Sequence, residues 1–254
     1  MKSMLSLVAA VAFVLGFSAP ARAQSEITLL SPNPIKETID RLVADFQAKT
    51  GTKVKITYGS GVGTRKTVAE GGAEDVTLLF APFDDALKTG NVAKNSATVV
   101  ARLRLAIAVK KGAPKPDISN LAAVKRTLVN ARSIISVDPA QGSVGGATLL
   151  ALDKMGLTDR IKPKIKWVPG GGEVQTSVAK GETQIALGPY LSDMRNPGLD
   201  VVGALPPEAA TPVDITGFLS TGVKDPKAAR ALLDYLKSAA DAPVWREAKA
   251  FPVR

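Results

Sequence analysis

Strand-like and helix-like segments alternate along this chain from residue 27 onward. Residues 27–30 form a short apolar run, and apolar residues at helical spacing follow between Ile35 and Phe46. Residues 54–58 then alternate apolar and polar side chains, as a half-buried strand does. The same order repeats up to a last helix through Leu232 and Leu236. Such alternation predicts an α/β fold with mostly parallel sheets.

The first 24 residues have the pattern of a targeting segment. Lys2 supplies a positive charge, residues 5–17 are apolar, and Ala21-Arg22-Ala23 is a small-x-small cleavage site. The apolar run is shorter than the roughly 20 residues that span a bilayer, so we predict a secretory signal peptide over residues 1–24 and not a membrane anchor. No later apolar stretch approaches that length. The mature protein is therefore predicted to be exported to the periplasm and soluble.

The chain of 254 residues contains no His and no Cys. Disulfides, thiolate nucleophiles, Ser-His-Asp triads and ordinary zinc sites are excluded by that composition. Acid–base chemistry would fall to Asp, Glu, Lys or Tyr. We predict no metal and no cofactor, and a protein suited to binding more than to catalysis.

The formal net charge is +10, from 33 Lys and Arg against 23 Asp and Glu. A nucleic-acid-binding protein needs its basic residues on one face and aromatic side chains to stack on bases. Aromatic residues are only 5% of this chain, and its basic residues are scattered. We therefore expect no nucleic-acid partner.

Four loops each follow a predicted strand, are rich in Gly, Ser or Pro, and lead into a helix. They are residues 31–34, 59–64, 139–146 and 188–192. Ligands of open α/β sheets gather at the carboxyl ends of the strands, where helix N-termini offer unpaired N–H donors to an anion. Ordinary turns and N-caps would explain any one of these loops equally well. The candidate ligand residues in the first three loops are Ser31, Asn33, Ser60, Gly61, Thr64, Gln141, Gly142, Ser143 and Val144.

Two further side chains are candidates for the same site. Arg65 follows the second loop, and its guanidinium fork would match a planar carboxylate; an ion pair at the surface with Glu70 or Asp75 is the alternative. Tyr190 follows Gly188-Pro189 and could donate its phenol to a ligand, or serve as a core or hinge aromatic. No loop has the spacing of a Walker A or dinucleotide-binding motif.

Several segments in order resemble the periplasmic molybdate-binding-protein-like family. They are Thr50-Gly51-Thr52-Lys53-Val54 running through Tyr58-Gly59-Ser60-Gly61, then Gly72-Ala73-Glu74-Asp75-Val76, and Gly188-Pro189-Tyr190. The resemblance implies a type II periplasmic binding protein, in which two α/β lobes joined by a two-strand hinge close on the ligand. Lobe 1 would comprise residues 25–105 and 206–254, and lobe 2 residues 106–205. The family's ligand hydroxyls would fall on Ser31 and Ser60, its loop amides on residues 141–144, and its late Tyr on Tyr190.

The sequence also departs from the molybdate pattern. Ser31-Pro32-Asn33-Pro34 follows the first strand, Arg65 lies in the second loop's helix, and Gly170-Gly171-Gly172 precedes Glu173. These features resemble a divergent subgroup of the family that includes aconitate isomerase.

Two functions remain open at this point. The first is a non-catalytic, monomeric receptor that binds a small anion, either an oxyanion such as molybdate or an organic carboxylate, and delivers it to the membrane permease of an ABC transporter. The second is a periplasmic aconitate isomerase that interconverts cis- and trans-aconitate by proton abstraction and return. Glu173 and Tyr190 are the candidate proton carriers for that reaction. We predict the receptor, because hydroxyl and amide donors are more evident than a paired acid and base.

Overall fold

The computed structural model of the protein describes residues 26–189, 196–239 and 245. The predicted signal peptide lies outside these residues. The strands are β1 (Glu26–Pro32), β2 (Lys53–Gly59), β3 (Val76–Phe80), β4 (Thr98–Leu103), β5 (Leu105–Lys110), β6 (Ile134–Val137), β7 (Ile165–Val168), β8 (Ile185–Pro189), β9 (Leu199–Ala204) and β10 (Val213–Leu219). The helices are α1 (Lys36–Thr50), α2 (Gly61–Ala69), α3 (Asp84–Leu87), α4 (Leu121–Asn130), α5 (Ser143–Lys154), α6 (Thr158–Ile161), α7 (Gly171–Lys180) and α8 (Pro226–Ser238).

The first lobe is built on a five-stranded sheet in the order β2-β1-β3-β10-β4. Its central strand β3 is buried along its whole length, which explains why the sequence there is an apolar run with no alternation. Side chains of α1 and α8 cover one face of the sheet, around Phe46 and Leu233, and α2 and α3 cover the other, around Val68 and Ala86. The sheet is therefore a buried layer between two layers of helices.

The second lobe repeats this arrangement with the order β7-β6-β8-β5-β9. Helices α4, α5 and α6 pack on one face through residues such as Leu128 and Leu152, and α7 packs on the other through Val174 and Val178. Two separate sheets, each with its own buried core, confirm the predicted α/β fold of two lobes.

The chain passes between the lobes at Arg104 and again between β9 and β10. The chain leaves the first sheet after Leu103 and enters the second at Leu105, so only Arg104 lies between two strands of different lobes. The two crossings are bonded to each other, because Arg104 Nη2 donates to the carbonyl of Leu205 at 2.7 Å and the Leu205 N–H donates to the carbonyl of Leu105 at 2.7 Å.

These crossings also correct the expectation of mostly parallel sheets. Strand β10 runs antiparallel to β3 and β4, and β5 runs antiparallel to β8 and β9. Both strands enter their sheets from the opposite lobe and not from a helix of the same lobe. The pairs β1–β2, β1–β3, β6–β7 and β6–β8 are parallel, as strand–helix–strand units require.

Local sequence signals place several helix ends correctly. Gly51 ends α1 with a φ of 73°, a left-handed conformation that glycine adopts without a Cβ penalty. The Asp225 side chain accepts a hydrogen bond from the N–H of Ala228, and Pro226 occupies the first position of α8. The Asn120 side chain caps α4 by accepting a hydrogen bond from the N–H of Ala123.

A Tyr–Asp–Lys cluster attaches the start of α1 to β2. The Tyr58 hydroxyl donates to Asp40 Oδ1 at 2.5 Å, and Lys36 lies 2.7 Å from Asp40 and over the Tyr58 ring. Burial and the neighbouring Asp40 raise the pKa of Tyr58 well above its ordinary value. Burial opposes ionisation of Asp40, but hydrogen bonds from Lys36 and Tyr58 outweigh it and lower the pKa of that carboxyl.

Replacing Tyr58 by Phe should lower the free energy of unfolding at pH 7 by about 1–2 kcal/mol, because a hydrogen bond to a charged carboxylate is lost. The raised pKa favours the protonated phenol in the folded state, so its contribution is complete below about pH 10 and is lost as the pH rises further.

The measurement is urea unfolding of both proteins at about pH 7 and about pH 11. The difference between the wild-type protein and the Tyr58→Phe variant should shrink at the higher pH. An equal difference in unfolding free energy at both pH values would contradict a stabilising hydrogen bond from the Tyr58 phenol to Asp40.

Candidate functional site

A cleft of about 390 Å³ lies between the two lobes. It is lined by loops that follow strands of both sheets and by the first turns of the helices after them. The first lobe contributes Asn33, Pro34, Ser60, Gly61 and Phe80. The second contributes Val137, Gln141, Gly142, Ser143, Val144, Pro169, Gly170, Gly171, Gly172, Val174, Gln175, Ala186, Leu187, Gly188, Pro189 and Leu199.

Three helices begin at this cleft. Gly61 is the first residue of α2, Ser143 of α5 and Gly171 of α7, and each of them lines the cavity. The first N–H groups of a helix have no partner within the helix and carry a partial positive charge. An anion bound in the cleft would therefore meet N–H donors from both lobes.

The three helix starts differ in how they are capped. The Ser60 side chain accepts from the N–H of Gly63 at 2.9 Å, which satisfies one donor of α2. Gly142 and Gly170 occupy the N-cap positions of α5 and α7, and neither helix has a side-chain cap. Glycine at these positions leaves the N–H groups to a ligand.

Two buried serine hydroxyls next to the helix starts have no hydrogen-bond partner among the described residues. Ser143 lines the cleft with 4% of its surface exposed, and Ser31 is fully buried near the end of β1, two residues before Asn33. A buried hydroxyl without a partner costs about 1–3 kcal/mol. A ligand oxygen in the cleft would supply the missing partner for Ser143.

The described residues that line the cleft carry no formal charge and expose much apolar surface. Phe80, Val144, Val174 and Leu199 contribute apolar surface, and the polar lining side chains are those of Asn33, Ser60, Gln141, Ser143 and Gln175. No Asp, Glu, Lys or Arg side chain is among the described lining residues. Among these residues, an anion would be attracted by neutral donors and helix dipoles, in surroundings where water screens charge poorly.

Close packing fixes the first turn of α5 against the end of β6. A methyl group added to Gly145 would lie 2.2 Å from the carbonyl oxygen of Val137 and 2.5 Å from the nitrogen of Pro139, so only glycine fits. One turn further, the hydroxyls of Ser136 and Thr148 are 3.1 Å apart in the buried interface. These contacts hold Ser143 at the cleft.

Most of the residues predicted for the site line this single cavity. Asn33, Ser60 and Gly61 come from the first lobe, and residues 141–144 come from the second. Ser31 lies just behind the lining. Tyr190 is outside the described residues.

Three further predicted residues, besides Ser31, lie outside the lining. The Thr64 hydroxyl is buried and donates to the carbonyl of Gly61 at 3.2 Å. Arg65 Nη1 donates to the carbonyl of Pro82, and its buried Nε has no partner among the described residues. Glu173 is exposed at the surface, 3.6 Å from Lys166 Nζ.

The sequence analysis missed the loop before α7. Residues 169–172 follow strand β7, are rich in glycine and precede a helix, which is the same pattern as in the loops that were selected. That signal could have identified them. Gln175 and the apolar wall formed by Phe80, Leu187 and Leu199 lacked any such signal, because their spacing is that of ordinary core residues.

No group of three or more Asp or Glu side chains in residues 26–189, 196–239 and 245 is close enough to hold a metal ion. No helix among the same residues has the length and apolar character needed to cross a bilayer.

Replacing Ser143 by Ala should leave the ligand-free protein equally stable or slightly more stable, because the hydroxyl it removes is buried without a partner. The same change should weaken binding of an anion in the cleft by about 1 kcal/mol, roughly fivefold. Calorimetric unfolding and titration calorimetry measure the two effects.

Ser177→Ala is the matched control, because the Ser177 hydroxyl is equally buried but bonded to Thr183 at 2.8 Å and lies away from the cleft lining. It should lower stability by about 1 kcal/mol and leave binding unchanged. A clear loss of ligand-free stability in Ser143→Ala would show that this hydroxyl has a partner within the protein.

Comparisons with known proteins agree with this architecture. The family model described as bacterial extracellular solute-binding protein matches residues 27–248. An aconitate isomerase from Pseudomonas sp. is 32% identical over 225 residues, which are 86% of this chain and 84% of that protein.

Solved structures show the same fold at low identity. The periplasmic molybdate-binding protein of Azotobacter vinelandii superposes with a TM-score of 0.68 at 16% identity, over 90% of this chain and 100% of that chain. The sulfate-binding protein of Mycobacterium tuberculosis superposes with a TM-score of 0.72 at 17% identity, over 90% of this chain and 87% of that chain.

Proposed function

Because the chain belongs to the family of bacterial extracellular solute-binding proteins, we propose that it binds a small organic anion with two or three carboxylates between its lobes. The observation that carries this proposal is the lining of the cleft. Neutral N–H and hydroxyl donors at three helix starts are combined with apolar walls in a cavity large enough for a molecule of about a dozen non-hydrogen atoms.

The volume of the cleft favours an organic anion over an inorganic one. The cavity of about 390 Å³ lies within the range of small-molecule sites, about 300–1,000 Å³. One water molecule occupies about 30 Å³ of liquid, so a tetrahedral oxyanion of five non-hydrogen atoms would leave most of the cleft to water. A tricarboxylate such as aconitate would fill much more of it and would cover the apolar walls.

The arrangement of donors also suits several carboxylates on one molecule. The starts of α2, α5 and α7 all line the cleft. Each can hold one carboxylate by N–H donation without an ionised partner. A ligand that contacts α2 on one lobe and α5 or α7 on the other would hold the lobes together, as in hinge closure around a ligand.

We further propose that the protein acts in the periplasm as a monomer and passes its ligand to the membrane permease of an ABC-type importer. The signal-peptide pattern of residues 1–24 and the family's extracellular role support this location. A receptor needs no acid–base pair, and the described lining residues include no Asp, Glu, Lys or Arg.

A second function is favoured by the aconitate isomerase that is 32% identical to this chain. In such a reaction a base removes a proton from the methylene carbon of cis-aconitate, the double bond shifts through an allylic carbanion, and a proton returns to the former vinylic carbon. Among the candidate carriers, Glu173 is paired with Lys166 outside the lining. Tyr190 lies outside the described residues and is the remaining candidate.

Thermal unfolding in the presence of separate anions tests the proposed ligand class. We expect cis-aconitate, trans-aconitate or citrate to raise the melting temperature, since a ligand at 100 times its Kd stabilises by about 2.7 kcal/mol. Molybdate, tungstate and sulfate serve as the inorganic comparison. A shift with these oxyanions alone would overturn the proposal of an organic ligand.

Proton NMR of cis-aconitate incubated with the protein in D₂O separates receptor from isomerase. A receptor leaves the vinyl signal unchanged, whereas an isomerase produces the trans isomer and incorporates deuterium from solvent. Catalytic appearance of the trans isomer would contradict the receptor role. The Glu173→Gln and Tyr190→Phe variants would then identify the proton carrier.

A further inference from the structure

The two lobes are in contact beside the cleft, where the first turn of α2 meets the first turn of α5. A methyl group added to Gly61 would lie 3.1 Å from Ser143 Oγ on the opposite lobe and 3.1 Å from Phe80 Cδ2 on its own lobe. Both distances are tighter than ordinary van der Waals contact. A side chain at residue 61 would therefore require Ser143 or Phe80 to move by a few tenths of an ångström.

Two cavities lie between the lobes near this contact. Phe80 and Ser143 line the ligand cleft. The residues that follow them, Ala81 on the first lobe and Ala147 one helical turn along α5, line a second groove of about 360 Å³. Gly61 and Ser143 both line the ligand cleft and neither lines the second groove, so their contact belongs to the wall of the cleft.

We propose that Gly61 determines how far the lobes close, and that the direct contact between α2 and Ser143 defines the closed state. Gly61 is a positioning residue in this proposal: it acts through the distance between the lobes and not through its own bond to the ligand. Its effect on ligand affinity rests on the function proposed above, while its effect on the distance between the lobes does not.

The hinge makes this distance sensitive to one contact. The lobes are joined by the two crossings that meet at Arg104 and Leu205, and the ligand donors are divided between the lobes. An obstacle at residue 61 would keep α2 away from α5, so a ligand could not reach both sets of donors at once. If the closed state becomes about ten times rarer, the apparent affinity falls about tenfold.

The first experiment measures the distance between the lobes without any ligand. The chain has no Cys, so a pair of spin labels can be placed on the two lobes by the substitutions Lys88→Cys and Lys162→Cys, both at exposed positions. Pulsed electron paramagnetic resonance then gives the label-to-label distance. Gly61→Ala should lengthen the mean distance relative to the labelled parent.

Gly146→Ala is the matched control. It makes the same chemical change near the start of α5, but a methyl group at residue 146 would meet no atom within 4 Å, and Gly146 does not line the cleft. We expect the label distance and the affinity for cis-aconitate to stay at their parental values.

The second experiment is a double-mutant cycle on cis-aconitate binding by titration calorimetry. Gly61→Ala should weaken binding about tenfold in the otherwise native protein. In the Ser143→Ala background the opposing hydroxyl is absent, so the same substitution should cost about threefold or less. Circular dichroism of each variant without ligand checks that the fold is intact.

The results of these experiments distinguish failure of the Gly61 proposal from failure of the ligand proposal. An unchanged label distance in Gly61→Ala, or an equal loss of affinity in both backgrounds, would overturn the proposal. Unfolding of Gly61→Ala would also overturn it, because the critical contact would then be with Phe80 inside the first lobe. If the parent does not bind cis-aconitate, the ligand proposal fails, and the label distances still decide the role of Gly61.

Discussion

The convergence of helix N-termini between two sheets is the constraint on which the rest of this structure depends. Helix α2 follows β2, α5 follows β6 and α7 follows β7, and these strands belong to the parallel parts of their sheets. Parallel strands end at the same edge, so the helices that follow them begin there. The carboxyl-end edges of the two sheets face each other across the gap between the lobes. The cleft therefore has N–H donors on both sides.

The described lining contains no ionised side chain, so this arrangement supplies its polarity. Helix dipoles and N–H groups provide fixed partial charges, and the apolar surface around them keeps water away. The Lys and Arg side chains of the described residues lie outside this lining and contribute only to the positive field around the protein. Arg65, the cation predicted for the site, donates to the carbonyl of Pro82.

Local signals in the sequence were sufficient for much of the fold and part of the site. Gly51 and the Asp225-Pro226 pair place helix ends because their effects depend on the backbone of neighbouring residues alone. The pairing of β10 with β3, and the break between β4 and β5 at Arg104, depend on contacts more than 100 residues apart along the chain. The apolar wall around Phe80 could not be distinguished from core, since the same residue types line both.

The most direct measurement of the central claim is a titration of ¹⁵N-labelled protein with cis-aconitate, followed by amide NMR spectra. The account predicts that the amide signals at the starts of α2, α5 and α7, including those of Gly61, Ser143 and Gly171, shift together and saturate at one concentration. Shifts confined to one lobe, or located on the lysine-bearing surface around Lys110 and Arg132, would contradict binding between the lobes by neutral donors.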